Sequence, residues 1–392
     1  MKLFRRRETR DTSTTVESKT VESNVVANAR AVDARVAQVS SGAAAVAAKA
    51  KSAVAPVVMS LPIRRIATFH LNGLGDLLFT LPALHAIREG FPGAKISAVV
   101  RPALAPLLND SPLVDEVLLR PKGGLSKQTS LLLQLRARHI DLAVCFSQSR
   151  NTTMLAWSSG AATRVGFGAA RMEALLTHRV PKEGPPTIET HLDLARALGC
   201  HTYQHDYRGL LHVSPAAIQK VDALLDELKI EGPFVVAACE ASLRRGIKEW
   251  PVEHWARALD ALSPRLPVVL VGTAPTTEVS TRMSTHVFDL GGRTDLPALA
   301  ALCGRARLFI GIDSGVMHLA AAMGTPVIGI YGPSDWRLTS PRGVPHRIVR
   351  HPVECSPCLL AQCKWTGLDE RKCLTRLEPN QVVEAARELI GV

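Results

Sequence analysis

The stretch 308–334, LFIGIDSGVMHLAAAMGTPVIGIYGPS, leaves a chain few ways to fold. Leu308, Phe309, Ile310 and Ile312 form a short apolar run. Asp313, Ser314 and Gly315 break it with turn chemistry, and Val316 to Met323 resume at helical spacing before Gly324, Thr325 and Pro326 stop the helix. A second apolar run, Val327 to Tyr331, completes a βαβ unit. At such a strand-to-helix turn the first free backbone N–H groups and the positive end of the helix dipole point above the carboxyl edge of the sheet. A phosphate suits that position. Ser314 adds a hydroxyl, Gly315 lets a ligand approach the backbone, and His318 reaches the same spot from the first turn.

The same alternation recurs along most of the chain. Strands are expected at 65–71, 96–100, 114–118 and 142–146, with helices at 77–89, 131–138, 152–158 and 191–198 and a helical turn at 102–108. Gly90 is read as a helix stop, Pro82 as an early-turn proline, and SGAATRVGFG (159–168) as a Gly-punctuated loop. A polar linker runs to Gly209. A second series follows, with strands at 234–239 and 268–272, helices at 216–228, 255–262 and 296–303, the 308–334 unit, and a closing helix at 379–389. This is an α/β pattern of two successive doubly wound domains, 61–208 and 209–392, with a cleft between their carboxyl edges.

The first 60 residues differ. Their basic start, MKLFRRRETR, is not followed by an apolar h-region, so no secretory signal is read, and the later Ala/Val-rich part is interrupted by Lys49 and Lys51. Composition favours a disordered Ala-rich extension over a weakly amphipathic helix resting on anionic lipid or a partner. The net charge of +12 implies an anionic partner. Residues 1–65 hold 12 Lys or Arg against 5 Asp or Glu, so the body is only mildly basic. With aromatics at 4%, a stacking platform for nucleic acid is not expected.

Three clusters carry chemistry. Asn72 to Asp76, NGLGD, sets a carboxylate at a helix start facing the cleft. Asp76 reads either as a cap or as a general base, and the glycines Gly73 and Gly75, which let a bulky substrate lie on the backbone, favour the base. Ser242 to Trp250, SLRRGIKEW, follows a strand of the second series, and its Arg244, Arg245 and Lys248 form either a solvated face or a diphosphate clamp. Cys355, Cys358, Cys363 and Cys373, spaced C-x2-C-x4-C-x9-C in the loop 355–373, suit a structural Zn or Fe site; disulfides and free thiols are the alternatives. The other cysteines fall on apolar elements and are read as inert core thiols.

GLGDLLFTLPALHAI, WSSGAATRVGF, IKEW, GGRTDL and DSGVMHLAAAMGTPVIGIYGPSD together resemble family 9 glycosyltransferases, the ADP-heptose:lipopolysaccharide heptosyltransferases, from about Ile63 to the C-terminus. The resemblance implies a GT-B fold and inverting, metal-independent transfer of heptose from ADP-heptose to an anionic lipopolysaccharide-core acceptor, in the cytoplasm or peripherally at the inner membrane face. Asp76 resembles the family's catalytic base. Ser242 and Lys248 match its diphosphate contacts, and Asp313, Ser314, Gly315 and His318 match its D-[ST]-G-x-x-H turn. Arg164 matches the arginine of the acceptor side. One departure stands out: where the family places a ribose-binding acid four residues after Gly272, this chain has Thr276, and the nearest acid is Glu278. That keeps open another nucleotide sugar, a protein acceptor, or a non-catalytic nucleotide-sugar-binding protein.

Overall fold

The computed structural model describes residues 62–120, 125–168, 172–182, 184–241 and 246–391. The expected N-terminal extension, residues 1–60, lies outside them.

Strands that are apolar on both faces need helices on both sides of a sheet, and two such sheets form. The first takes the order β3-β2-β1-β4-β5-β6, from β1 (Arg65–His70), β2 (Lys95–Val100), β3 (Glu116–Leu119), β4 (Leu142–Cys145), β5 (Thr163–Phe167) and β6 (His178–Val180). The second runs β12-β11-β10-β7-β8-β9, from β7 (Val235–Ala238), β8 (Val268–Leu270), β9 (Phe288–Asp289), β10 (Leu308–Ile312), β11 (Val327–Tyr331) and β12 (His346–Arg350). All pairings are parallel. The strand order reverses between β1 and β4 in one sheet and between β7 and β10 in the other, and ligands bind outside the carboxyl ends at such points.

Side chains alternate between layers. On β10, Phe309 enters the central apolar cluster, whereas Leu308, Ile310 and Ile312 enter the cluster beneath the closing helix Pro379–Ile390. The central cluster is continuous across both sheets. It takes Leu78, Leu81 and Leu84 from the helix Leu74–Gly90 and Met317, Leu319 and Ala321 from the helix Gly315–Ala322. Each leucine so buried contributes about 1.5–3 kcal/mol.

Several local expectations are corrected. The segment read as a Gly-punctuated loop contains β5, because Val165 and Phe167 are buried against the sheet and Gly166 makes room for Cys145 and Leu176. The first helix begins at Leu74 rather than Leu77, so Pro82 sits in its interior. Gly90 is the last residue of that helix and is not its left-handed stop. A Cβ there would lie 2.6 Å from Cys200 Sγ, so the glycine serves close packing. No helix among the described residues is long and apolar enough to cross a membrane.

Candidate active site

At the reversal of the second sheet, Asp313 leaves the end of β10 buried, and Lys248 approaches from the loop after β7. The Lys248 ammonium donates to the Asp313 carboxylate, and to the Asp313 carbonyl at 3.1 Å. Among the described residues these contacts commit two of its three protons. Burial alone would raise the Asp313 pKa, but Lys248 and His318 outweigh it and hold the carboxyl below its usual range. His318 is pushed the other way: burial lowers it to about 4 despite Asp313, so the ring is neutral at pH 7. Its Nδ1 lies 2.9 Å from the Tyr207 hydroxyl, which also accepts the Arg342 N–H at 3.2 Å. The other ring nitrogen, Nε2, faces Asp313 Oδ1 at 3.9 Å. Beside this chain Ser314 Oγ is buried with no hydrogen-bond partner among the described residues, at the N-cap of the Gly315–Ala322 helix. The unbonded amides of that helix and one orphan hydroxyl therefore share a position with an ammonium, as an anion site requires.

The first sheet brings Asp76 to the same place. Asp76 is the third residue of its helix, and its carboxylate accepts the Gly73 N–H at 3.2 Å, so the capping role is present. The two helix starts abut. A Cβ on Gly75 would meet His318 Cδ2 at 3.4 Å, and one on Gly315 would meet Leu74 Cβ at 2.8 Å and the Gly75 nitrogen at 2.9 Å. One turn further on, the Phe79 ring packs edge-on against His318, 4.6 Å between centres. Gly75, next to Asp76 in sequence, thus packs directly against Gly315 and His318. Beside it, a pocket at the reversal of the first sheet is lined by Asn72, Ser147, Gln148, Phe167 and Lys182.

Other expected site residues fall elsewhere. Ser242, Arg244 and Arg245 lie outside the described residues. Arg164 lies near the start of β5, away from the carboxyl edge, where its guanidinium donates to the carbonyls of Leu175 at 2.7 Å and Ala161 at 2.5 Å. That placement ties down a turn and gives it no access to the cleft. Thr276 is buried, and its nitrogen donates to Asp289. The acid beside Gly272 is instead Glu240, whose Oε2 lies 3.1 Å from where a Gly272 Cβ would stand. Burial, with Glu249 and other nearby carboxylates, raises its pKa. Glu240, Tyr207 and Lys182 were not singled out from sequence. Only the position of Glu240 two residues past β7 marked it as a carboxyl-edge group.

The cysteine loop takes the free-thiol form among the alternatives. Cys355, Cys358, Cys363 and Cys373 are free thiols lining one small hollow with Trp365 and Lys372. Cys363 Sγ accepts the Arg371 N–H at 3.3 Å, and burial together with the other thiols pushes Cys373 up to about 11. Among the described residues no three His, Cys, Asp or Glu side chains are arranged to hold a metal ion. A structural Zn or Fe at these thiols is therefore unsupported among the described residues. The loop braces Lys248 instead: Arg371 donates to the carbonyls of Gly246 at 3.3 Å and Glu249 at 3.1 Å, on either side of it.

Two Rossmann-like parallel sheets whose carboxyl edges meet, one bringing a carboxylate and the other an anion-binding helix start, define a glycosyltransferase of the GT-B fold. Residues 128–368, more than half of the chain, match glycosyltransferase family 9 (heptosyltransferase), and the chain belongs to that family. It is 27% identical over 285 residues to lipopolysaccharide heptosyltransferase 3 of Escherichia coli K12, spanning 67% of this chain and 82% of that protein. The solved E. coli ADP-heptose lps heptosyltransferase II superposes with a TM-score of 0.67 at 23% identity, covering 83% of this chain and 98% of that one. A glycosyl transferase family 9 structure from Veillonella parvula gives 0.72 at 21% identity, covering 85% and 98%.

Proposed function

We propose that this enzyme moves heptose from ADP-heptose to a lipopolysaccharide-core acceptor with inversion at the anomeric carbon and without a catalytic metal. It works in the cytoplasm and meets its glycolipid at the inner membrane face. The observation that carries the reading is the junction of Gly75 with Gly315 and His318, which sets Asp76 beside the anion site of the other half. Asp76 takes the proton from an acceptor hydroxyl as its oxygen attacks the anomeric carbon. The bond to the diphosphate breaks on the opposite face, and ADP departs with both electrons. The remaining Lys248 proton, Ser314 Oγ and the helix amides receive the charge that develops on the leaving oxygen, and these groups suffice without a divalent ion.

A second reading, transfer from another nucleotide sugar, draws on Thr276 standing where the family has its ribose acid. The test is a panel of ADP-, UDP- and GDP-sugars with purified core acceptor in EDTA, scoring product and anomeric configuration by NMR. ADP-heptose turnover with inverted linkage is expected. Preference for a uridine or guanosine sugar, or arrest by EDTA, would defeat the first reading.

A further inference from the structure

Two helices, Leu125–Ala137 and Arg150–Ser158, pack on the face of the first sheet that is turned away from the central cluster. Each joins one parallel strand to another, β3 to β4 and β4 to β5, so the two lie side by side and point the same way. Their inner residues, Leu131, Leu135 and Ala156, are buried with Phe69, Val99 and Cys145. A helix with one side so committed is expected to turn polar side chains outward. These two do not: Leu133 is 63% exposed, Met154 38% and Trp157 55%. Met154 and Trp157 stand at i and i+3, as do Leu133 and Arg136, so each pair shares a helix face. The Arg136 guanidinium crosses to the end of the neighbouring helix, where its Nε donates to the Ser158 carbonyl at 3.0 Å. Arg150, one turn before Met154 and exposed, extends the strip. Single exposed apolar residues need no explanation, whereas three on adjoining helix faces form a patch.

Charge says what such a patch would meet. From 117 to 172 the chain carries eight Lys or Arg and a single acid, Asp141. That carboxylate accepts the Arg64 and Arg65 N–H groups, each at 2.9 Å, and is thereby tied to the start of β1. Apolar side chains with a tryptophan among them, flanked by exposed arginines where acids are scarce, suit a bilayer that bears anionic headgroups. The indole and the aliphatic chains enter the boundary between headgroups and acyl chains, and the guanidiniums pair with lipid phosphates. The strip also leads to the acceptor side. Ser149, whose hydroxyl caps the second helix by accepting the Thr152 N–H at 3.2 Å, lines the pocket at the reversal of the first sheet.

We propose that the outer face of these two helices, through Leu133, Met154, Trp157, Arg136 and Arg150, docks the enzyme on an anionic phospholipid surface. Docked there, the enzyme meets a glycolipid's sugars at the carboxyl edge where the second helix begins. The purpose of the contact rests on the reading above that the acceptor is a membrane glycolipid; the contact itself rests on the patch.

The test is sedimentation of the full chain with vesicles of phosphatidylcholine, alone or mixed with phosphatidylglycerol, at low and high salt. The wild type should pellet with the mixed vesicles, come off as salt rises, and stay in solution with phosphatidylcholine alone. The double variant Leu133→Ser with Trp157→Ser should lower the partition coefficient about ten-fold while keeping the wild-type thermal midpoint, and Arg136→Gln with Arg150→Gln should lower it by a similar factor. Brominated acyl chains should quench the wild-type fluorescence, and Trp157→Phe should lose most of that quenching. Turnover on a core acceptor freed of its lipid should stay level in every variant, while the KM for the same acceptor embedded in vesicles rises. Partition unchanged by both double variants, equal binding to the two kinds of vesicle, or undiminished quenching in Trp157→Phe overturns the proposal. Dimerisation that the same variants abolish, without vesicle binding, would assign the face to a second copy and overturn it too. Vesicle binding as expected, with no transfer to any core acceptor, upholds this surface and sinks the heptosyl-transfer reading instead.

Discussion

Gly315, at the first turn of its helix, meets Leu74, at the first turn of the facing helix, so closely that a methyl group on Gly315 would stand 2.8 Å from Leu74 Cβ. The backbone nitrogen of Gly75 lies just beyond, at 2.9 Å, and cannot yield as a flexible side chain would. Gly315→Ala should therefore destabilise the fold by about 1–3 kcal/mol and lower turnover by parting the two sheets. Gly73→Ala is the control: a Cβ there meets only Asp76 Oδ2 at 3.9 Å, so its thermal midpoint should match the wild type. A Gly315→Ala protein with wild-type stability and turnover would contradict the junction.

Asp76 combines a cap with the proposed base. Asp76→Asn keeps an oxygen to accept the Gly73 N–H but cannot take a proton, so transfer should fall about 10²–10⁴-fold with stability nearly retained. Binding of ADP-heptose, read by thermal shift, should persist. Undiminished transfer would remove Asp76 from the role.

Lys248 and Asp313 are both largely withdrawn from water, at 14% and 9% side-chain exposure. Lys248→Ala should lower kcat about 10²–10³-fold through loss of leaving-group stabilisation. It should also lower stability by about 3–5 kcal/mol, because the Asp313 charge loses its partner. The double variant Lys248→Ala with Asp313→Asn should regain thermal stability without regaining turnover. Equal melting of the single variant and the wild type would mean that the pair holds nothing in place.

Arg371 touches no part of the cleft, yet it grips the turn that carries Lys248 from both sides. Its own φ of +52° is left-handed, which asparagine tolerates well, so Arg371→Asn removes the guanidinium with little added strain. The donor KM should rise about ten-fold while the acceptor KM stays level, and Arg371→Lys should restore part of the loss. A donor KM that did not move would confine Arg371 to holding the cysteine loop.

Three buried histidines set a pH dependence of stability. Burial, aided by His191, lowers His70 to about 3, and burial lowers His191 and His318 to about 4, against 6.5 in the unfolded chain. Between pH 6.5 and these lower values the unfolded chain takes up protons that the native state refuses, so stability rises with pH across that window. From pH 6.5 to 5 each histidine should withdraw roughly 2 kcal/mol. Depressed carboxylates such as Glu116, held at about 2 chiefly by its hydrogen bond from Arg138, lose their contribution only below about pH 4.5, which separates the effects. Thermal midpoints at pH 7.5 and 5 should differ clearly, and His191→Asn should shrink the gap; a flat profile would be incompatible with neutral buried rings.

The repeated strand and helix pattern, the Asp313 turn and the NGLGD helix start were legible because each depends on neighbours in sequence. Two of the edge strands were not: β6 and β9 have three and two residues, too few for a hydrophobic period to register. The contact of Tyr207 with His318 joins residues 111 positions apart, and only the packed fold brings them together. Arg164 was placed on the acceptor side by motif alone, whereas its position near the start of a strand turns it toward backbone carbonyls. The cysteine spacing suggested a metal, but spacing says nothing about whether four sulfurs converge at bonding distance.

Both sheets lay down their strands in the same order, each reversing direction once. The loops that would grip the donor therefore hang from one scaffold and those that would sort acceptors from another, joined at a seam of helix starts. A substitution on one scaffold can thus leave the helix start of the other anchored, so the two halves can drift in sequence independently as long as the seam of glycines is kept.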